Sequence, residues 1–317
     1  MRFTTQTMEE IIDTLQTACA SKHDITFKVL DPDLFAGAYA GTTVEVEGVS
    51  YLYRSLRAWM DLAELLGCRM HLPKRREYPM VEMHFSPLER GESFHLSTPD
   101  DPKEKYGVTS TFFGIRKMEE PAFAYHYLHA LDEVDITCRR TILNLGINRA
   151  DEFEAIRNRV GKEVFSQMHL TGVDHSPSAT LYAQGRFPGE HCTFYAADIN
   201  RLDDLGLDRF DLLISIGTLQ SPGIDYKPLL MHLVQNYLSN DAALILGFPN
   251  SRWIDGEMLY GAKAAHYRFP EMGVVLEDIL FAKRYLQQKK FRVRIIGKQY
   301  LFLVATKIST AINQTSL

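Results

Sequence analysis

From residue 139 onwards, apolar runs alternate with amphipathic segments, and this pattern predicts parallel strands with helices between them. Five apolar runs have the length of buried strands: 141–145, 169–174, 192–197, 210–216 and 242–248. The segments between them include 226–238, which carries leucines at helical spacing. Strands that alternate with helices in this way form an open α/β sheet.

The last part of this region departs from a plain strand–helix repeat. After a long amphipathic segment at about 274–290, two β-branched and aromatic runs, 291–296 and 300–306, flank the turn Gly297-Lys298. Strands joined by so short a turn pair antiparallel. The fold predicted is therefore a seven-stranded, doubly wound α/β sheet that ends in an antiparallel hairpin.

Residues 1–100 predict a smaller α+β domain. Helical period is found at 7–20 and 54–66, and short strands are predicted at 25–30, 43–47, 49–53, 69–72, 80–85 and 93–96. The stretch 98–105, rich in Pro, Asp and Lys, predicts a linker. We therefore expect an N-terminal domain for substrate binding or dimerisation at 1–100, a domain at 101–308 and a polar tail at 309–317. Residues 109–134 are expected to be mostly helical and to lead into the first core strand.

Composition narrows the class of partner. The chain is 45% hydrophobic and 24% charged with a net charge of −5, so no overall basic field attracts nucleic acid. Two local basic groups keep RNA open as a partner: Lys74–Arg76 with Tyr78, and a second group formed by Lys289, Lys290, Arg292, Arg294 and Lys298. For each group the alternative is a solvated surface, which for Lys74–Arg76 means a loop between strands.

Cysteine usage and hydropathy favour a cytoplasmic protein. The four cysteines are scattered, which argues against disulfides and a zinc site. The start of the chain is acidic and amphipathic rather than a secretory signal. Since no run approaches the ~18 apolar residues of a membrane span, no membrane partner is expected. The oligomeric state is not indicated.

The first core strand breaks on a turn that carries Gly146 and Asn148 and then enters a helix. A strand, a glycine turn and a helix N-terminus together are a common seat for nucleotide-like ligands. The second strand ends in Asp174, where a carboxylate can accept hydrogen bonds from ribose hydroxyls, and Ser176-Pro177 predicts the next helix start.

These elements, in this order, resemble a class I S-adenosylmethionine-dependent methyltransferase over residues 139–308. The resemblance implies that the turn after strand one holds the methionine part of the cofactor and that Asp174 binds its ribose. It also implies that the acid after strand three, Asp198, lies beside the adenine. The segment 217–222, after strand four, would face both the methyl donor and the acceptor. The cofactor-binding residues it predicts are Asn144, Gly146, Asn148, Asp174, His175, Ser176, Asp198, Ile199, Ser215 and Gly217.

The first motif departs from the family pattern of acid–x–Gly–x–Gly–x–Gly. Its positions are Asn144, Gly146, Asn148 and Ala150 here, so one glycine of three is kept and the acid is an amide. Asn148 tolerates a left-handed backbone, and a following acid, Asp151 or Glu152, can supply the missing charge. Two functions stay open: S-adenosylmethionine-dependent methyl transfer, or an inactive binding or scaffold protein that has kept the fold.

The acceptor is predicted to be a small molecule or RNA. Gln220-Ser221-Pro222 stands where nucleobase N-methylases of the family carry an Asn-Pro-Pro-type motif, which argues against DNA. Loops after parallel strands line the ligand crevice, and an arginine there suits carboxylate or phosphate groups. The substrate-binding residues predicted are Gln220, Asn250, Arg252 and Tyr260.

Three further interpretations complete the set. The segment 255–261 resembles an inserted loop or lid, with glycines at both ends that could act as hinges. His126, His129 and Glu133 share a helix face, but no further ligand has a defined spacing, so no metal site is predicted. No residue near strand four stands out as a catalytic base, and none is assigned, because methyl transfer depends mainly on positioning and desolvation.

Overall fold

The structure is a computed structural model that describes residues 1–19, 23–89, 102–261 and 272–308. The strand predicted at 93–96, residues 98–101 of the predicted linker and the tail at 309–317 lie outside the described residues. By contacts the chain divides into Met1–Gly91 with Trp253–Leu259, called here the N-terminal unit, and Glu92–Arg252 with Tyr260–Leu317, the sheet unit. The domain boundary at residue 100 stays a prediction.

The N-terminal unit is an α+β module, as the sequence predicts. Its elements are α1 (Met8–Cys19), β1 (Ile25–Leu30), β2 (Thr43–Val46), β3 (Val49–Leu52), α2 (Leu56–Leu65), β4 (Cys68–Met70), β5 (Lys74–Glu77) and β6 (Met80–Pro87). Strands β1, β6 and β4 pair antiparallel in that order, β5 also pairs with β6, and β2 and β3 form a hairpin. Phe27, Trp59 and Phe85 are buried at its core.

A capping box explains where α1 begins. The backbone N–H of Thr7 donates to Glu10 Oε2 at 2.6 Å, and the N–H of Glu10 donates to Thr7 Oγ1 at 3.2 Å. Two N–H groups that a helix N-terminus leaves unpaired are thereby satisfied. Thr7 therefore caps α1.

The basic residues Lys74–Arg76 form part of strand β5 and not a loop. All four residues of β5 are exposed, so the basic side chains face solvent. Arg75 Nε donates to Asp31 Oδ2 at 2.7 Å, and its guanidinium also pairs with Asp33. The charge of Arg75, one of the three basic residues, is therefore offset within the unit.

The sheet unit contains the predicted alternation of strands and helices. Its long elements are α3 (Pro121–Glu133), β7 (Thr141–Leu145), α4 (Asp151–Val160), α5 (Lys162–Phe165), β8 (His169–Asp174), α6 (Pro177–Arg186), β9 (Cys192–Ala196), β10 (Phe210–Ile216), α7 (Tyr226–Asn236), β11 (Leu238–Pro249), α8 (Met272–Gln288), β14 (Phe291–Gly297) and β15 (Tyr300–Lys307). A separate two-stranded sheet is formed by β12 (Ser251–Ile254) and β13 (Glu257–Tyr260). Short 3₁₀ turns occur at Pro102–Glu104, Thr111–Gly114, Lys117–Glu119, Ile136–Cys138 and Ile199–Leu205.

Seven strands form one sheet in the order β14-β15-β11-β10-β7-β8-β9. Strands β7 to β11 are parallel, whereas β15 runs antiparallel to both β11 and β14. The doubly wound sheet with its antiparallel hairpin is confirmed. Its two faces are covered by separate apolar clusters, one against α7 and α8 and the other against α3 and α4.

Two local expectations can be compared with the structure. Residues 109–134 are mostly helical, as expected, with the 3₁₀ turns Thr111–Gly114 and Lys117–Glu119 before α3. The segment 255–261 includes the turn and second strand of the β12–β13 hairpin, with positive φ at Asp255 (48°) and Gly256 (73°). Asp-Gly between two strands favours this tight turn, so Gly256 forms the turn of a hairpin, and the hinge role stays a prediction.

Within the described residues, no helix combines the length and apolar character needed to cross a membrane.

Candidate functional site

The parallel strands of the sheet unit end at one edge of the sheet. Their order reverses between β7 and β10, because the chain passes from β7 to β8 on one side and later to β11 on the other. In open α/β sheets, ligands bind beyond the carboxyl ends of the strands at such a reversal. The turns after β7 and β10 are in contact, since Thr218 lies too close to Gly146 for a Cβ to fit there.

The turn after β7 has a left-handed backbone at each of the three motif positions. The φ angles are 78° at Gly146, 40° at Asn148 and 59° at Ala150. Left-handed conformations disfavour residues with a Cβ, yet two of these three residues are not glycine. Packing around the turn therefore enforces the shape that a glycine-rich motif would adopt freely.

Asp174 links this turn to the start of α6. Its side chain is 5% exposed, and its carboxylate accepts from the N–H of Asn148 and from the N–H of Ser176, both at 3.0 Å. Ser176 in turn caps α6 by accepting from the N–H of Ala179 at 3.2 Å. His175 Nδ1 lies 3.5 Å from the same carboxylate. Four predicted residues thus meet, and Asp174 stabilises both the turn after β7 and the start of α6.

The other predicted cofactor residues lie at the ends of β9 and β10. Asp198 is exposed and accepts from the N–H of Asn200 at 2.9 Å, whereas the side chain of Ile199 is buried in the apolar core. Ser215 is buried, with its Oγ 3.4 Å from the carbonyl oxygen of Leu145. Gly217 has a φ of 71°, and the hydroxyl of Tyr300 occupies the place of a Cβ.

An acidic group lies beside the motif position that lost its acid. Asn144 is fully buried, and neither of its amide atoms has a hydrogen-bond partner among the described residues. Burial is the main cause that raises the pKa of Glu152 to about 8, and the like charge of Asp151 adds to it. Asp151 is instead ion-paired with Arg186 at 2.6 Å. Of the two acids that the sequence offered, Glu152 is the one with no ion pair in the described part of the chain.

Two residues near this group were missed by the sequence analysis. Lys117 Nζ lies 5.4 Å from the ring centre of Tyr300, and burial lowers the pKa of Lys117 to about 8. The Tyr300 side chain is buried, and burial raises the pKa of its hydroxyl. Tyr300 begins the antiparallel strand that the short turn at Gly297-Lys298 predicts, and an antiparallel strand begins at the edge where its parallel neighbours end. That signal could have placed Tyr300 at this edge.

The ends of β10 and β11 carry polar atoms that the described residues leave unsatisfied. They are Gln220 Oε1, Asn250 Oδ1, Ser251 Oγ, Arg252 Nε and Gln299 Oε1, all buried. Asn250 and Gln299 are adjacent, because the N–H of Asn250 donates to the carbonyl oxygen of Gln299 at 3.0 Å. Buried polar groups normally have partners, so this cluster suits a polar ligand or ordered water.

Of this cluster, the sequence analysis predicted Gln220, Asn250 and Arg252 and missed Ser251 and Gln299. The fourth predicted substrate residue, Tyr260, donates from its hydroxyl to Met272 Sδ at 3.1 Å and is half exposed.

The His126–His129–Glu133 face does not assemble as a metal site. The Glu133 carboxylate forms an ion pair with Arg294 at 2.8 Å. Arg294 is a member of the second basic group. In the ranges that the structure describes, no three His, Cys, Asp or Glu side chains are grouped to hold a metal ion.

The sequence matches no family model and no curated protein. Among solved structures, it is similar to the plantazolicin methyltransferase BpumL in complex with SAH, at 10% identity over 65% of this chain and 94% of that one, with a TM-score of 0.44. It is also similar to the N-methyltransferase NodS from Bradyrhizobium japonicum WM9, at 14% identity over 61% and 99% of the two chains, with a TM-score of 0.40. A precorrin-6y C5,15-methyltransferase from Geobacter metallireducens GS-15 is 12% identical over 58% and 87%, with a TM-score of 0.40.

The strand order and the antiparallel β15 give the sheet unit the class I methyltransferase fold that the sequence predicted. The roles of individual residues are not settled by the fold and stay predictions.

Proposed function

We propose that the sheet unit binds S-adenosylmethionine and transfers its methyl group to a small-molecule or RNA acceptor. The observation that carries the proposal is the left-handed turn at Gly146, Asn148 and Ala150. Such a conformation costs roughly 1–2 kcal/mol at a residue with a Cβ, and backbone strain of this kind concentrates at ligand sites. The turn keeps this conformation although two of the three motif glycines are replaced, which supports a turn that still binds a ligand.

The residues present suit the cofactor's charged end. The methionine part of S-adenosylmethionine carries an ammonium group, and Glu152 is the acid we assign to it, since Asp151 is engaged by Arg186. A cation beside a half-buried carboxyl favours its ionised form. Asp174 retains lone pairs for ribose hydroxyls beyond its two backbone contacts.

When bound, the cofactor would supply a methyl group on a positively charged sulfur, open to a nucleophilic atom of the acceptor, with the carbon–sulfur bonding pair left on sulfur. We assign the protein two tasks: Gln220, Asn250 and Gln299 orient the acceptor, and the surrounding turns exclude water. Where the acceptor atom carries a proton, we assign its exchange near neutral pH to Lys117, whose pKa burial lowers to about 8.

A small polar acceptor has the better support. Arg75 and Arg294, one from each basic group, are both ion-paired within the chain, which reduces the charge available to a phosphate backbone. The unsatisfied amides, the Ser251 hydroxyl and Arg252 Nε instead suit a ligand with several hydrogen-bonding groups. RNA is kept as the second acceptor class.

Binding and transfer can be tested separately. Native mass spectrometry and calorimetric titration with S-adenosylhomocysteine should show one molecule bound per chain, and NAD should not bind. Binding of NAD instead, or of neither ligand, would contradict the proposal. Incubation with methyl-labelled S-adenosylmethionine and a cell extract, followed by separation of small molecules from RNA, should place the label in the small-molecule fraction. Binding without any label transfer would favour the inactive alternative.

A further inference from the structure

Residues 103–108, called here the strap, are attached to the start of α6. The Glu104 carboxylate accepts from the N–H of Ser178 at 3.1 Å, from Ser176 Oγ at 3.1 Å and from Ser178 Oγ. The N–H of Val108 donates to Ser178 Oγ at 3.0 Å. Four hydrogen bonds therefore join the strap to the first residues of one helix.

A second attachment joins the strap to the turns that follow β7 and β8. Asn148 Nδ2 donates to the carbonyl oxygen of Tyr106 at 2.8 Å, and the Tyr106 ring lies 5.9 Å from the His175 ring, edge to face. Asn148, His175 and Ser176 are all predicted cofactor residues. The strap thus contacts the proposed cofactor pocket along its β7–β8 side.

The charge of Glu104 suits its position. Helix α6 is ten residues long, and its N-terminus favours an anion. Burial acts to raise the pKa of Glu104, but hydrogen bonds from Ser178 and Ser176 outweigh it and hold the pKa below its ordinary value. The carboxylate is therefore ionised at neutral pH. Gly107 packs so close to Glu104 and Ser178 that no Cβ would fit, which keeps the strap tight against the helix.

We propose that the strap is a gate over the cofactor pocket, latched by Glu104 on Ser176 and Ser178 in both the free and the cofactor-bound protein. The inference rests on the proposed function. The latch bonds are made with α6 rather than with a ligand, so weakening them raises the open fraction of the free and bound protein alike. Cofactor would then enter and leave faster by the same factor, and its affinity would not change.

The test compares Glu104→Gln, which removes the charge but keeps the size, with Ser178→Ala, which removes latch bonds from the helix side. Glu119→Gln, which alters an exposed acid outside the strap, is the matched control. Stopped-flow measurement of S-adenosylhomocysteine should show association and dissociation rates that both rise about tenfold in the first two variants. The dissociation constant should stay within about twofold, because the two rates change together.

Three results would overturn the gate. Unchanged rates in both latch variants would show that the strap does not limit exchange. A faster dissociation alone, with weaker affinity, would make Glu104 a direct cofactor contact. A faster association alone, with tighter affinity, would make the strap a competitor of the cofactor.

Hydrogen exchange separates failure of the latch from failure of the proposed function. The Val108 amide should exchange about tenfold faster in Glu104→Gln than in wild type or in the Glu119→Gln control, with no ligand present. An unchanged exchange rate would overturn the latch. If wild type binds no S-adenosylhomocysteine, the proposed function and the gate both fail, whatever the amide shows.

Discussion

The two halves of the sheet edge differ in how their polar groups are satisfied. At the ends of β7 and β8, Asp174, Asn148 and Ser176 bond to one another, and Ser176 also bonds the strap. At the ends of β10 and β11, buried atoms of Gln220, Asn250 and Gln299 have no partner among the described residues. We call these the cofactor half and the acceptor half.

The difference indicates which half is preorganised. An unsatisfied buried polar group costs about 1–3 kcal/mol, so we expect a ligand or ordered water to complete the acceptor half. The cofactor half is held together by its own hydrogen bonds and depends less on a ligand to keep its conformation. Asn144 is its exception, a buried amide whose neighbour Glu152 is the acid we assign to the cofactor.

The largest effect is expected from Asp174→Ala. The change leaves the N–H groups of Asn148 and Ser176 unpaired, which should lower the free energy of unfolding by about 2–4 kcal/mol. Loss of the ribose contact should also weaken S-adenosylhomocysteine binding by roughly ten- to a hundredfold. Urea unfolding and calorimetric titration measure the two effects.

Asp198→Ala is the control for Asp174→Ala. Asp198 is exposed and bonds locally to Asn200, so its loss should cost less than about 1 kcal/mol of stability. Equal destabilisation by the two changes would remove the distinction that we draw for Asp174.

The second-largest effect is expected in the pH dependence of stability, through Glu152. The folded pKa of about 8 lies above the ordinary value of 4.5, so between these values the folded state holds a proton that the unfolded state has lost. Stability should therefore fall as pH rises through this window, with a slope of at most ~1.4 kcal/mol per pH unit. Glu152→Gln should flatten the slope in urea unfolding at a series of pH values. Lys117 cannot produce this fall in stability. Its pKa is lowered from 10.5 to about 8, so it changes the pH dependence of stability only above about pH 8.

The same carboxyl links cofactor binding to protons. An ammonium placed beside Glu152 favours the carboxylate, so binding at about pH 7 should release a proton from wild type. Titrations in buffers of different ionisation enthalpy count that proton. Proton release that persists in Glu152→Gln would assign it to another group.

A smaller effect is expected from Asn250→Ala and Gln299→Ala in the acceptor half. Both remove a buried oxygen that has no partner in the described structure, so stability should change by less than about 1 kcal/mol. A loss comparable to that of Asp174→Ala would show that the acceptor half is bonded internally after all.

The smallest effect on the cofactor is expected from Arg252→Ala. The residue follows β11 in the acceptor half, so affinity for S-adenosylhomocysteine should stay within about threefold of wild type while turnover falls. A parallel loss of cofactor affinity would move Arg252 into the cofactor half.

The fold was predictable because its signals are local. The run at His169–Asp174 has a strand's length and ends where the strand ends, and Ser176-Pro177 marks the start of α6. The antiparallel hairpin followed from the shortness of the turn at Gly297-Lys298. By contrast, Asp255-Gly256 was a local signal for a hairpin turn, and the sequence analysis did not predict the β12–β13 pair.

The site was predictable only in part, because much of it depends on tertiary contacts. Glu104 and Tyr106 precede the core strands and reach the pocket only through the folded path of the chain. The raised pKa of Glu152 and the lowered pKa of Lys117 arise from burial, which the sequence does not show at a helix start or in a 3₁₀ turn. Gln299 is next to Asn250 because of the β11–β15 register.

Hydrogen exchange with and without S-adenosylhomocysteine tests the central claim, that the cofactor binds at the ends of β7 and β8. The account predicts slower exchange at the amides of residues 146–150 and 174–178 when the ligand is bound, with little change at 250–252 and 299. Protection confined to the ends of β10 and β11, or no protection at the β7 turn with the ligand bound, would contradict it.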